Sequence, residues 1–203
     1  MAQQHQQPEK LTRTRRLAMK LINQAGWTVP PFPDVDKAIV VGGPHTSNWD
    51  GVIGLTAAVA LGLNAHFLIK HSLFKGPLGW LLRKLGGIPV HRGRAGGMVG
   101  QAVRELEKSD RLILVVAPEG TRSGAKQWKA GFHRIAREAN VPIVVTVADY
   151  GTRELRFPLI LTPTDDLEAD LEKLYECFAS VTPKHPDKLS APVRERYRAH
   201  HER

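Results

Sequence analysis

A single cysteine, Cys177, stands among the 203 residues, so the chain cannot close an internal disulfide and a reducing, cytoplasmic setting is expected. Aromatic residues are also scarce, at 6%, which argues against the stacking platform of a nucleic-acid-binding module. The first ten residues, MAQQHQQPEK, are polar and lack the apolar run of a signal peptide. Long hydrophobic runs are nearly missing too. Val52–Ile69 carries no charge, but Asn64 and His66 interrupt it and Gly62 with Asn64 reads as a helix stop. A buried helix followed by a strand explains it better than a membrane span. Several cofactor signatures are absent: His-Glu-X-X-His, Cys-X-X-Cys, a glycine-rich dinucleotide fingerprint and a Lys-Ser/Thr phosphate loop. The histidines near the C-terminus, His185, His200 and His201, have no companion cysteines. No metal or redox cofactor is expected. Acidic residues are outnumbered, 20 against 29 Lys and Arg, leaving a net charge of +9. That excess favours an acidic partner: nucleic acid, an anionic lipid surface, a phosphorylated substrate or an acidic protein.

What is present is an alternation of strands and helices. Strands are predicted at Ala38–Val41, His66–Lys70, Ile88–His91, Leu112–Val116, Ile143–Val147 and Glu154–Leu161. Helices are predicted at Trp49–Leu63, Pro77–Leu85, Met98–Glu107 and Lys126–Ala139, the third with Val99, Ala102, Val103 and Leu106 on one face. The run LILVV suits a strand covered on both sides. The pattern implies an α/β fold, a single domain with a largely parallel central sheet flanked by helices. Residues 1–30 read as a basic amphipathic helix that either contacts a membrane surface or packs on the domain with a solvated basic face. Residues 31–182 form the catalytic unit, and 183–203 a polar, basic and flexible tail with a short helix around Pro192–His200.

Ligands of open α/β sheets collect beyond the carboxyl ends of the strands. After the first strand comes GGPHTSNWDG, with His45 and Asp50 five residues apart. On a continuous helix that spacing would separate the two side chains, so they meet only if the chain turns between them. Ser47 or Asn48 could cap a helix with Asp50 in its first turn, letting the carboxylate reach back to the histidine. A carboxylate that fixes one imidazole nitrogen leaves the other free to accept a proton. This is the base and orienter of a triad without its nucleophile. The third strand runs into His91-Arg92-Gly93, and the fourth into APEGTRSG, then Lys126 and WKAGF with Lys129. Loop amides there could form an anion nest, and Arg92, Arg122 and Lys129 could hold a phosphate. Each cluster has an ordinary structural explanation by itself. Their coincidence at equivalent strand ends argues for one site.

HTSNWDG, GGIPVHR, APEGTRS with WKAGF, and VPIVVTV resemble, in this order, the four sequence blocks of the glycerophospholipid acyltransferases, over roughly residues 37–147. They are most similar to those of bacterial 1-acylglycerol-3-phosphate acyltransferases. The resemblance implies that His45 takes the proton from an acceptor hydroxyl and Asp50 holds it. The hydroxyl then attacks an acyl thioester directly, which accounts for the missing nucleophile. Arg92 and Lys129 would bind the acceptor phosphate, with Arg122 in the same anion pocket. Glu119, Gly120 and Thr121 would shape the acceptor site, and VPIVVTV the core or acyl pocket. Ala117 stands where many relatives carry Phe, and the N-terminal region offers one amphipathic helix where several relatives have a longer pair.

The expectation is therefore an acyltransferase without cofactor. Its donor would be acyl-CoA or acyl carrier protein, and its acceptor a lysophospholipid such as 1-acylglycerol 3-phosphate. It would act peripherally on an anionic membrane, on the cytoplasmic inner face, with no nucleic-acid partner. A thioesterase in which the same dyad activates water is the nearer rival, and a basic nucleic-acid-binding module the more distant one.

Overall fold

Four consecutive residues of Lys37–Gly43 (β1), Ala38 to Val41, are buried, which is why this run is apolar without alternation. In the computed structural model, which describes residues 12–91 and 97–201, β1 is an interior strand of a six-stranded sheet. The others are Ala65–Lys70 (β2), Gly87–Val90 (β3), Leu112–Val116 (β4), Ile143–Asp149 (β5) and Glu154–Leu161 (β6). Their order is β3-β2-β4-β1-β5-β6. Every neighbouring pair is parallel except β5 with β6. The predicted α/β class and all six strands are thus observed.

Seven α-helices are present among the described residues: Arg13–Gln24 (α1), Asn48–Leu61 (α2), Gly76–Lys84 (α3), Gly97–Lys108 (α4), Gly131–Glu138 (α5), Leu167–Ala179 (α6) and Ala191–His201 (α7). One sheet face, with Ile39, Val41, Leu114 and Val145, packs against α4, α5 and α6 through Leu106, Phe132, Ile135 and Phe178. The other face packs Ala38, Val40, Ile113 and Val144 against Phe32 and Phe157. Beside it, Ile22 and Trp27 meet Ile53 and Ala57 of α2. Gly43 is required where β1 ends, because a Cβ there would lie 2.0 Å from the Phe178 ring. The helix stop also holds, since α2 ends at Leu61 and Gly62 takes a left-handed conformation, φ +71°.

Two sequence expectations change. The helix predicted from Lys126 begins only at Gly131. Residues 121–130 instead form an irregular loop, anchored by the buried Trp128 indole donating to Ser190 Oγ at 2.9 Å and the Lys129 amide donating to Pro118 O at 2.8 Å. The second change concerns the tail. Residues 183–201 are built into the domain, with Leu189 and Val193 both 0% exposed in the main core. Leu189, Val193 and Tyr197 recur every four residues, a helical stripe that faces this core, but the surrounding charges and the three histidines masked it in the sequence. At the other end, α1 packs on α2 through Ala18 and Ile22, and Arg15 Nη2 donates to Leu61 O at 3.1 Å. Leu17 and Leu21 remain exposed.

A flexible tail would tolerate truncation of its apolar side chains. Leu189→Ala should instead lower the unfolding free energy by about 2–5 kcal/mol, as measured by urea denaturation; a change below about 0.5 kcal/mol would restore the surface-tail reading.

Candidate active site

The loop after β1 and the loop after β4 are neighbours because β1 and β4 pair in parallel, Val41 opposite Val116. His45 leaves the first loop and Glu119 the second. Ser47 caps α2, and Asp50, as its third residue, completes a capping box. The cap does more than start a helix. Asp50 Oδ2 accepts from the amides of Thr46 and Ser47, both at 2.7 Å, and Oδ1 accepts from the Tyr150 hydroxyl at 2.6 Å. The chain therefore turns back between His45 and Asp50, and His45 Nδ1 lies 3.9 Å from Asp50 Oδ2. That separation is an ionic contact rather than a hydrogen bond; such contacts often tighten only once substrate is bound.

Glu119, 4% exposed, accepts from the His45 amide at 2.6 Å through Oε2. Burial pushes its carboxyl above the ordinary range, against hydrogen bonds from His45 and Ser190. Behind it the Trp128 indole holds Ser190. The glutamate thus braces the histidine loop from inside. Burial also lowers the pKa of His45; Asp50 raises it and Arg122 lowers it further. The imidazole is accordingly neutral at neutral pH, the form that accepts a proton.

From His45 an apolar cavity of about 240 Å³ runs between α2 and the sheet. Gly51, Gly54, Ala58 and Leu61 line its helix side, with Val40, Val115 and Phe157 opposite. Gly51 to Leu61 spans about 15 Å of helix axis. Small residues on this face make the space: a Cβ at Gly51 or Gly54 would meet nothing within 4 Å. The cavity ends at the far side among Leu63, Phe67 and Phe32.

A sequence profile described as Acyltransferase matches residues 14–148, about two thirds of the chain. The chain belongs to the acyltransferase family. Its fold is similar to that of a 1-acyl-sn-glycerophosphate (LPA) acyltransferase, PlsC, from Thermotoga maritima. The TM-score is 0.56 at 20% identity, over 83% of this chain and 76% of that one. No curated protein matches the sequence.

Within this acyltransferase the structure gathers His45, Asp50, Glu119 and Arg122 at the ends of β1 and β4. Gly120 and Thr121 form the turn between them: the Gly120 amide donates to Ala117 O at 3.2 Å, and Thr121 Oγ1 accepts from the Ser123 amide at 3.3 Å. The Gly120 amide is thereby committed to the turn and not to an anion nest. Lys129 lies across Gly120, its Nζ 3.0 Å from where a Cβ would stand. Arg92 lies outside the described residues; the strand preceding it, β3, ends three strand positions from β1, about 14 Å across the sheet.

Three contributors were missed by sequence reasoning. Tyr150 reaches Asp50 from 100 residues away, at the end of β5. Ser190 and the segment before it come from the supposed tail. No local spacing marks either one. The segment is anchored through its backbone groups: Thr182 O accepts from the Tyr150 amide at 2.8 Å, and the His185 amide donates to the Thr46 side-chain Oγ1 at 3.3 Å.

Burial and the Arg122 charge should together place the His45 imidazole titration, followed by NMR of its Cε1 proton, below the ordinary 6.5. Arg122→Gln removes a cation that opposes protonation, so the titration should move to higher pH. An unshifted midpoint in that variant would show that Arg122 does not act on the base.

Proposed function

We propose that this acyltransferase moves a fatty acyl group from acyl-CoA or acyl carrier protein to a hydroxyl of a lysophospholipid such as 1-acylglycerol 3-phosphate. The observation that supports this reading best is the apolar cavity ending at a neutral histidine. Such a cavity suits an acyl chain whose thioester lies beside His45, and no cysteine or serine is among the described residues that line it; the nearby Ser47 hydroxyl instead accepts from the Trp49 amide as the cap of α2. His45 would take the proton of the acceptor hydroxyl while that oxygen bonds to the thioester carbonyl carbon. The tetrahedral intermediate then collapses with loss of the C–S bond, and the proton held by His45 passes to the departing thiolate. Asp50 would orient the imidazole and stabilise its charged form, while Tyr150 and the Thr46 and Ser47 amides hold Asp50. No metal or other cofactor enters this scheme.

The acceptor's phosphate would lie on the Arg122 side, with Lys129 and Arg92 as further cations in the same reading. Peripheral contact with an anionic membrane, on the cytoplasmic inner face, belongs to the same reading, and the exposed apolar side chains of two adjacent helices support the membrane contact. Leu17 and Leu21 on α1 stand among Arg13, Arg16 and Lys20, and Trp49, Val52 and Leu55 are exposed on α2. No helix among the described residues is long and apolar enough to cross a membrane.

The decisive experiment mixes purified protein, acyl donor and 1-acylglycerol 3-phosphate, with lipid products read by mass spectrometry. Wild type should form the diacyl product, and His45→Ala should slow it by about 10²–10⁴-fold. Gly54→Leu, which fills the cavity about 5 Å beyond Gly51, should shift preference to shorter acyl donors while short-chain turnover persists. Free fatty acid without acylated lipid would favour thioesterase chemistry, and a yield indifferent to His45 would sink the mechanism. Membrane contact has its own check: flotation with anionic vesicles, which Leu17→Glu with Leu21→Glu should abolish. Equal flotation of that variant would reject α1 as the contact.

A further inference from the structure

His45 lines the acyl cavity, and from the next residue, Thr46, onward the chain lines a second concavity of about 400 Å³. Its walls are the start of α2 from Thr46 to Trp49, the loop residues Arg122 and Ser123, and Lys184, His185 and Lys188. Three permanent cations thus share one small polar bay with the residues that follow the base. Among the described residues no ion pair engages Arg122, Lys184 or Lys188. The two carboxylates nearest the base point inward instead, Asp50 to its amide donors and Tyr150, and Glu119 to the His45 amide. Asp187 is exposed on the turn that carries Lys188, and the bay stays positive even with it counted.

The bay is built rather than accidental. Its outer wall is anchored at both ends and in the middle. Thr182 O accepts from the Tyr150 amide, the His185 amide donates to Thr46 Oγ1 at 3.3 Å, and the Ala191 amide donates to Ala125 O at 2.8 Å. Leu189 and Ser190, immediately after Lys188, are fully buried. Lys184 Nζ is held 5.1 Å from the Trp49 ring centre and 5.8 Å from that of Tyr150, the residue bonded to Asp50. Unpaired cations on an ordered wall need little further ordering to grip an anion.

We propose that Lys184 and Lys188, together with Arg122, bind a phosphate ester of a substrate. The segment after the family-matched region thereby supplies two of the three cations of the anion subsite. The proposal rests on the acyl-transfer reading for which substrate arrives, but not for the binding itself. The chemistry recognised is a phosphate ester held next to the base, with the apolar chain on the other side. Two sources carry it: the headgroup phosphate of the lysophospholipid acceptor and the phosphates of the donor's coenzyme A moiety. His185, whose amide is tied to Thr46, positions the two lysines on either side of it.

The test is calorimetric titration of wild type and Lys184→Gln/Lys188→Gln with two probes, a soluble short-chain 1-acylglycerol 3-phosphate and coenzyme A. Both lysines are exposed, so melting temperature should be unchanged. The expected result is saturable binding of at least one probe by wild type, weakened about tenfold or more in the double variant. Loss confined to the lysophosphatidate probe, with a matching rise in acceptor KM, assigns the bay to the acceptor. Loss confined to coenzyme A, with a rise in donor KM, assigns it to the donor. Binding of neither probe by wild type, or equal binding by the double variant within twofold, overturns the proposal. Because binding is read without turnover, failure of acyl transfer with phosphate binding intact would reject the functional reading and leave the bay standing.

Discussion

The Asp50 carboxylate is the constraint around which the site is arranged. A buried carboxylate is stable only if its oxygens are satisfied, and three donors from two parts of the chain supply this. The Thr46 and Ser47 amides come from the turn that carries His45, and the Tyr150 hydroxyl comes from the end of β5. One side chain thereby closes the turn after β1, caps α2 and ties both to the end of the neighbouring strand β5. The same closure leaves His45 Nδ1 facing Asp50 across 3.9 Å. Glu119 completes the clamp from β4 by holding the His45 backbone.

Around that clamp the protein keeps two unlike environments, one lined by His45 and the other by the residues that follow it. On one side α2 presents glycine and alanine to the sheet, so helix and sheet leave an apolar cavity between them instead of closing on each other. On the other, Arg122 and the 182–190 segment surround a polar bay. His45 stands at the junction and is kept neutral by burial and by the neighbouring cation. An apolar slot and a cationic bay beside one neutral imidazole would, on the proposed reading, suit a substrate with a hydrocarbon chain at one end and a phosphate at the other. Arg122, Lys184 and Lys188, three of the 29 Lys and Arg behind the chain's +9 charge, are gathered in this bay.

Much of this was legible before any fold was known. The strands and most helices followed from apolar runs and their periods, because each is a local pattern. The five-residue spacing of His45 and Asp50 required a turn, and Ser47 with Asp50 forms the cap that makes it. The family resemblance pointed to Glu119 and the sequence to Arg122 as candidates, though neither indicated that the glutamate faces inward to brace a backbone amide. The start of α5 was misplaced because the pattern from Lys126 is locally helical, whereas the Trp128 indole is held by Ser190, a partner 62 residues away.

The chain by itself thus determined the α/β class and the loops at the ends of β1 and β4 that hold His45, Asp50, Glu119 and Arg122, since both are written in short-range composition and spacing. Tertiary structure alone decided which distant residues complete the site. Tyr150 reaches Asp50 only because β5 pairs beside β1. Ser190, Lys184 and Lys188 reach the loops only because Leu189 and Val193 are buried in the main core. Such long-range partners leave no period or spacing in the sequence; they exist because burying a few apolar side chains carries polar neighbours to positions that no local rule specifies.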